Sequence, residues 1–434
     1  MRTACTRRSP HRGNTGWRRG EGLPARGLPR VRGLSRDARI LFTSRALRMF
    51  GYGFLSVALV LYLDAIGLSD AEIGLLLALT LLGDAAISLW LTTHADRIGR
   101  RRTLVAGSLL MSMAGATFAW STALPVLLVA ATIGVISPSG NEVGPFLAVE
   151  QAGLAQTVGD RRRTSVFAWF SLVGSGATAL GALAGGWLGG AAIAGGAAPA
   201  DGYRLVVVGY AAVGLGLTAI FWLVSPSIEV EAVDVGVRRR LGLHRSSGIV
   251  GRLAALFALD AFAGGFVMQS LIAFWFSTRF GVDLGTIGAI LFAANLLAAA
   301  SALAAGRLAA RFGLLETMVF THLPSNVLLI LVPLMPSLPL AAAVLLARFA
   351  ISQMDVPTRQ SYTMAVVEPD ERSAAAGVTG IARSLGAAVA PLAAAPLIGS
   401  VALAGLPFVI AGGLKIAYDL LVYRAFRSVR LDGS

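Results

Sequence analysis

The sequence predicts an all-helical membrane protein, with twelve transmembrane helices in two six-helix, pseudo-symmetric bundles. Three observations support this fold class. The 434 residues are 56% hydrophobic and only 14% charged, whereas soluble domains carry about 25% charged residues. Apolar segments of about 20 residues recur along the chain, and each can cross a hydrocarbon layer about 30 Å thick as a helix. These segments also fall into two similar sets of six.

The chain begins with a basic arm, which we assign to residues 1–38. Residues 1–36 contain ten Arg and one acidic residue, Glu21, so they supply most of the net charge of +14. The arm is rich in Gly, Pro and Arg and has no apolar stretch, which predicts disorder. A tether to lipid headgroups and a dispensable tail both remain open for it. Because the charge is concentrated in this arm, we expect no nucleic-acid partner.

Twelve apolar segments follow the arm, separated by Gly, Pro and charged residues. An even number of spans places both termini on the same side of the membrane. The predicted spans are 40–63, 71–93, 103–121, 124–149, 164–194, 203–224, 252–276, 285–306, 315–335, 338–364, 373–399 and 403–425.

Arginines in the connections predict the orientation. They cluster on one side of the predicted membrane, for example at 97–102, 161–163 and 238–245, and the other side has only Arg204 and Arg279. Positively charged loops resist translocation. We therefore expect a multi-pass protein of the inner (plasma) membrane with both termini in the cytoplasm.

The longest polar interruption, 225–251, divides the chain into an N-terminal bundle at 39–224 and a C-terminal bundle at 252–426. A short tail, 427–434, follows. The interruption contains a run of acidic residues and then three consecutive arginines. We predict that it is a cytoplasmic linker between the two bundles.

The two predicted bundles resemble each other in sequence. TTHADRIGRRRTL follows the second span and GRLAARFGLLETM follows the eighth, which puts Arg97 and Arg311 214 positions apart. Glu142 in span four lies 213 positions before Asp355 in span ten, and each is followed closely by a proline. Nearly constant offsets in the same order along the chain indicate an internal duplication.

The loop after span two resembles the signature loop of the major facilitator superfamily of secondary transporters. The residues that carry the resemblance are Asp96, Arg97, Gly99, Arg100 and Arg101. Thr92 and His94 depart from the family's Gly and Leu. The resemblance in span count, duplication and loop position covers about 40–425.

The resemblance implies a gate at this loop. Asp96 and Arg100 would brace the N-terminal bundle against the start of span eleven and steady the outward-open state. Gly99 would supply the positive φ that a tight turn needs. The alternative is that the arginines only anchor the topology. The predicted gating residues are Asp96, Arg97, Gly99, Arg100 and Asp84.

Span five is rich in glycine. Its segment from Gly181 to Gly186 resembles an antiporter motif of the same family, with Ala182 at the position of the motif's proline. Small residues at this density also let two helices approach backbone to backbone. Both interpretations stay open.

Ionisable side chains inside a span cost at least about 2.5–3.5 kcal/mol, so they are candidates for function. Asp355 with Arg359, and Lys415 with Asp419, have the i,i+4 spacing at which opposite charges can neutralise each other. Arg348 and Arg383 have no such carboxylate and need a partner from another span or from a ligand. The predicted intramembrane charges are Asp84, Glu142, Asp260, Arg348, Asp355, Arg359, Arg383, Lys415 and Asp419.

The resemblance implies that spans one, four, seven and ten line a central cavity that binds the solute near the midplane. Glu142 or Asp260 would bind and release a proton. Arg348 and Arg383 would hold an anionic group if they are free, whereas a neutral or cationic solute is expected if they are paired. The predicted substrate and coupling residues are Glu142, Asp260, Arg348, Arg383, Tyr52, Gln269 and Asn141.

We therefore predict a monomeric secondary active transporter that moves a small organic solute by alternating access, driven by a proton gradient. Its partners would be the solute and membrane lipid, without a cofactor or metal. Cys5 is the single cysteine and the four histidines are scattered, so no metal-ligand spacing is present. The alternatives are a lipid-modifying membrane enzyme, which would need a catalytic cluster, and a non-transporting sensor on a transporter fold.

Overall fold

The computed structural model describes most of the chain from Ser35 onward, and these residues form one compact unit. The predicted arm, the middle of the predicted linker and most of the predicted tail lie outside the described residues. The described ranges are 35–158, 160–229, 244–368 and 371–427, without the side chains of residues 96, 160–165, 227 and 373.

Eight helices make up the N-terminal part of the fold within the described ranges. Each predicted span corresponds to one helix or to two successive helices. The helices are α1 (Arg36–Ser56), α2 (Leu59–Ala65), α3 (Asp70–Ile98), α4 (Arg100–Trp120), α5 (Leu124–Ile133), α6 (Phe146–Thr157), α7 (Asp160–Ala194) and α8 (Pro199–Trp222).

Nine helices make up the C-terminal part. Three of its six spans are divided into two helices. The helices are α9 (Ser247–Gly265), α10 (Gln269–Phe280), α11 (Leu284–Phe312), α12 (Leu314–Leu331), α13 (Leu338–Ser352), α14 (Asp355–Ala365), α15 (Arg372–Val389), α16 (Pro391–Gly399) and α17 (Leu406–Phe426).

The predicted all-helical membrane fold is confirmed. Within the described ranges, ten helical elements are long and apolar enough to cross a membrane, and the bent pair α1 and α2 makes an eleventh. The remaining predicted span, 124–149, is not one helix, so that prediction is wrong. It consists of the ten-residue α5, an unwound segment at 134–145, and α6.

The lipid-facing surface carries tryptophans near both ends of the bundle. Trp90 and Trp222 lie toward the end where α3 and α8 finish and are 56% and 60% exposed. Trp120 and Trp187 lie toward the opposite end and are 78% and 68% exposed. Exposed tryptophans at two levels are typical of the two interfaces of a membrane.

The two bundles contact each other at one end of the molecule. We call the end where α1 begins and α17 finishes the terminal end, and the opposite end the distal end. Toward the distal end α7 packs against α11, α3 against α15 and α16, and α2 against α10. Gly186 of α7 lies so close to Gly288 of α11 that a Cβ added to Gly186 would be 2.7 Å from the Gly288 Cα. The glycines of span five therefore allow close helix packing.

Candidate functional site

Within the described ranges five membrane spans are divided into two helices: the eleventh, at residue 390, and the first, fourth, seventh and tenth. The breaks in the last four lie at 57–58, 134–145, 266–268 and 353–354. Non-helical backbone at membrane depth is tolerated only where it is buried in protein or lines a water-filled cavity. These breaks therefore locate the candidate site in the middle of the fold.

The first cluster of charges lies in the N-terminal bundle, between α1 and the broken fourth span. The two terminal guanidinium nitrogens of Arg48, Nη1 and Nη2, donate to the two carboxylate oxygens of Glu150 at 2.7 and 2.8 Å. Both side chains are fully buried. Arg48 also contacts Glu142 at 2.8 Å, and Arg45 forms an ion pair with the other oxygen of Glu142. Two cations thus balance two carboxylates in this cluster.

Glu142 lies on the unwound segment and not in a helix, which corrects its predicted placement. Gly140 and Gly144 have φ values of 69° and 80°, a conformation that interrupts a helix and suits glycine. Asp84 accepts a hydrogen bond from the Gly144 amide at 2.6 Å. The Tyr52 hydroxyl donates to the Val143 carbonyl at 3.0 Å. These contacts hold the segment, and the predicted gating role of Asp84 stays a prediction.

The second cluster lies in the C-terminal bundle and is centred on Asp260 of α9. The Lys415 ammonium lies 2.5 Å from one Asp260 oxygen. The other oxygen is 2.9 Å from Arg359 and 3.6 Å from Arg383. The predicted pair of Asp355 and Arg359 is confirmed at 3.1 Å. Asp260 therefore joins charges from α9, α14, α15 and α17.

The predicted pair of Lys415 and Asp419 is wrong. Lys415 points to Asp260, as described above. Asp419 instead accepts hydrogen bonds from α12: His322 Nδ1 lies 2.9 Å from one oxygen and Asn326 Nδ2 lies 3.0 Å from the other. Asp419 is therefore bound by residues of α12 and not by Lys415, its neighbour on α17.

Arg348 of α13 has no ion-pair partner among the residues that the structure describes. It is 8% exposed, and its guanidinium lies 4.9 Å from the centre of the Phe349 ring. Its Nε has no hydrogen-bond partner. The predicted intramembrane charges of the C-terminal bundle therefore leave an excess of one positive charge, since four cations, Arg348, Arg359, Arg383 and Lys415, lie beside three carboxylates, Asp260, Asp355 and Asp419.

Gln269 lies at a contact between the two bundles. Its Nε2 donates to the Ser56 hydroxyl at 2.7 Å, and its Oε1 accepts from Asn295 Nδ2 at 3.0 Å. The neighbouring Ser270 amide donates to the Pro138 carbonyl at 3.1 Å. We call these contacts the distal latch. They close the space between the bundles toward the distal end.

The loop at the terminal end has the predicted glycine turn. Gly99 has a φ of 102°, and Gly313, its counterpart in the second copy, has 96°. The backbone amides of Arg100 and Arg101 donate to Glu229 at 2.7 and 3.1 Å. These contacts tie the described end of the linker to the start of α4.

The remaining predicted residues lie outside the two charged clusters. The side chain of Asp96 lies outside the described part of the structure, so its gating role stays a prediction. Arg97 and Asn141 are exposed. Sequence reasoning missed Arg45, Arg48, Glu150 and His322, although Arg45 and Arg48 fall inside the first predicted span at a three-residue spacing that puts them on one face of a helix.

Two helical bundles that meet at one end and carry charged clusters beside broken membrane helices define a multi-pass membrane transporter fold. The chain belongs to the Major Facilitator Superfamily, because the model of that family matches residues 41–426. The resemblance found in the loop sequence is confirmed. The chain is also 31% identical over 426 residues to "Uncharacterized membrane protein YJR124C" of Saccharomyces cerevisiae, covering 91% of this chain and 95% of the yeast protein.

Solved structures share the fold at low sequence identity. The nucleoside transporter NupG aligns with a TM-score of 0.71 and 12% identity, covering 91% of this chain and all of NupG. A D-xylose-proton symporter aligns with a TM-score of 0.71 and 16% identity, covering 89% of this chain and 97% of the symporter.

Proposed function

We propose that the protein is a proton-coupled secondary transporter that moves a small organic anion by alternating access. The two bundles would rock about the broken spans and open the central site to one side at a time. The distal latch supports this mechanism, because it consists of hydrogen bonds between the bundles that can break and form again.

The main support for an anionic solute is that Arg348 has no ion-pair partner among the described residues. An arginine buried without a partner is strongly unfavourable unless an anion compensates it, and guanidinium binds carboxylate or phosphate with two parallel hydrogen bonds. Arg383 is the second candidate contact, since its side chain is 37% exposed and lies 3.6 Å from Asp260. A bound anion would neutralise the positive excess of the C-terminal bundle.

Glu142 is the candidate proton carrier in the N-terminal bundle. Its side chain is 18% exposed, whereas its neighbour Glu150 is fully buried. Water can therefore deliver a proton to Glu142, which would release Arg45 from its ion pair. Asp260 is the second candidate, although three cations contact it and stabilise its ionised form. The D-xylose-proton symporter that shares the fold is, by its name, a proton-coupled transporter.

The orientation belongs to the same proposal. The loop arginines of the terminal end, such as Arg97 and Arg101, would face the cytoplasm by the positive-inside rule, and the protein would reside in the plasma (inner) membrane. In the described structure the bundles meet toward the distal end, so this conformation would be open to the cytoplasm.

The test uses the purified full-length protein in sealed proteoliposomes with an imposed pH gradient. A panel of radiolabelled carboxylates and phosphorylated solutes is compared with neutral sugars and nucleosides. We expect gradient-driven uptake of an anion, and an increase in KM of about 10- to 150-fold in Arg348→Gln, because charged hydrogen bonds contribute about 1.5–3 kcal/mol.

The matched control is Arg279→Gln, which removes an exposed arginine at the distal end and should leave KM unchanged. Uptake restricted to neutral solutes, with the same KM in wild type and Arg348→Gln, would overturn the anionic class. Uptake of an anion that ignores the pH gradient would overturn the proton coupling.

A further inference from the structure

A buried pair of titratable side chains lies beside the C-terminal cluster and has no part in the proposed function so far. His322 of α12 is 4% exposed and Asp419 of α17 is 0% exposed. Their contact is 2.9 Å, and Asn326 holds the second oxygen of Asp419 at 3.0 Å. Imidazole is the side chain whose ordinary pKa, about 6.5, allows it to gain and lose a proton near neutral pH.

Lys415 lies one helical turn from this pair. It precedes Asp419 by four residues on α17, so the two side chains share a face of the helix. The ammonium therefore has two carboxylates within reach, and in the described structure it contacts Asp260 at 2.5 Å. Which carboxylate it prefers depends on how much negative charge Asp419 retains.

The composition of the chain gives Lys415 further weight. It is the only lysine among 37 basic Lys and Arg residues. A lysine ammonium is a compact charge on a flexible stem, whereas a guanidinium is a planar group with a fixed donor geometry. The one lysine of the sequence thus lies where a cation could move between two carboxylates, Asp260 and Asp419.

We propose that His322 and Asp419 form a proton-binding site and that Lys415 transmits its state to Asp260. A hydronium ion transfers its proton to the imidazole, so an N–H bond forms, an O–H bond breaks and a water molecule is left. The imidazolium then neutralises Asp419, and Lys415 stays on Asp260. When the proton leaves, Asp419 regains its full charge and attracts Lys415, so Asp260 loses one of its three cations.

This relay predicts the direction of coupling, and that step rests on the proposed function. Departure of Lys415 leaves Asp260 less neutralised, so its negative charge acts more strongly on Arg383, which it contacts at 3.6 Å, and binding of an anion there weakens. Protonated His322 and bound anion therefore favour the same state. By linkage, each ligand raises the affinity for the other, so proton and anion would travel together as in a symporter.

Other ionisable groups face the pair from the helices packed around it. The centre of the Tyr418 ring lies 6.2 Å from the centre of the imidazole ring. These groups include Lys415 and Tyr418 of α17, Arg348 of α13, Asp355, Arg359 and Tyr362 of α14, and Asp260 of α9.

Nuclear magnetic resonance of the purified full-length protein in lipid nanodiscs tests the relay without any transported solute. With ¹⁵N-labelled lysine, Lys415 gives the only lysine side-chain signal, and ¹⁵N-labelled histidine reports the imidazole of His322, assigned by comparison with His322→Gln. We expect the Lys415 Nζ signal to shift with pH and to share its midpoint with the His322 signals.

Two variants sharpen the result. Asp419→Asn keeps a hydrogen-bonding side chain but removes the charge, so the Lys415 signal should no longer follow the protonation of His322. His94→Gln removes a histidine near the end of α3, in the other bundle, and should leave the Lys415 midpoint unchanged. A Lys415 signal that stays constant while His322 titrates, or a His322 that does not titrate in the wild type, would overturn the relay.

This experiment separates the relay from the proposed function. A failed uptake screen would leave the coupled titration of His322 and Lys415 intact. A constant Lys415 signal would remove the relay but would leave the anion site at Arg348 untouched.

Discussion

Close packing between α7 and α11 predicts that Gly186→Ala opens the distal end. A Cβ on Gly186 would lie 2.7 Å from both the Gly288 Cα and the Leu284 carbonyl oxygen, whereas ordinary contacts are 3.4–4 Å. The helices must separate by roughly 1 Å, and overpacking of this kind costs about 1–3 kcal/mol. Because α7 and α11 belong to different bundles, the cost falls on the distal-closed state. Its population relative to the distal-open state should fall by about 5- to 150-fold.

Distances between spin labels measure this shift. Ala198 and Val401 are exposed at the distal ends of the two bundles, and both are changed to cysteine after replacement of Cys5 by serine. Gly176→Ala is the matched control, because a Cβ there has no atom within 4 Å and the gain in helix propensity is the same. We expect longer distances in Gly186→Ala only. Identical distance distributions in all three proteins would refute the packing argument.

Three further predictions address coupling, gating and the linker. Glu142→Gln should abolish uptake driven by a pH gradient while the protein stays folded, because an amide cannot bind and release a proton; unchanged uptake would remove Glu142 from the coupling site. Asp96→Asn should shift the populations of the inward- and outward-open states, measured as distances between the bundles at the terminal end, and unchanged distances would count against the gate. Hydrogen bonds from the Ser246 side chain and the His244 amide lower the pKa of Glu371 from 4.5 to about 2, so the linker contact should be complete above pH 4.5 and lost as the pH falls toward 2. Hydrogen exchange at the Ser246 amide measures this loss of the contact. Glu371→Gln has no carboxylate at this position, so its exchange should not change over the same pH range.

The spans were predictable because the length of an apolar segment is a local property of the sequence. The break in span four was missed because apolar residues continue through Val135 and Ile136, so hydrophobic length alone cannot detect it. Gly134, Gly140 and Gly144 were the available signal. Two of these three glycines adopt a positive φ.

The site was predictable as a set of buried charges but not as a set of pairs. Arg348 and Arg383 were singled out by their lack of a carboxylate on the same helix; among the described residues Arg383 contacts Asp260 and Arg348 has no ion-pair partner. Lys415 and Asp419 were wrongly paired, because the i,i+4 rule describes isolated helices and cannot weigh Asp260 or His322 on other helices. The choice among these partners depends on tertiary packing, which the order of residues in one helix does not contain.

The unwound segment in span four also affects how the protein is made. Helix α5 has ten residues and is about 15 Å long, which is half the thickness of the hydrocarbon layer. It cannot enter the bilayer alone as a stable span, and the peptide groups that follow it need partners from neighbouring helices. Insertion of this span must therefore await the helices that surround it. The backbone break beside Glu142 therefore also constrains the order in which the spans can assemble in the membrane.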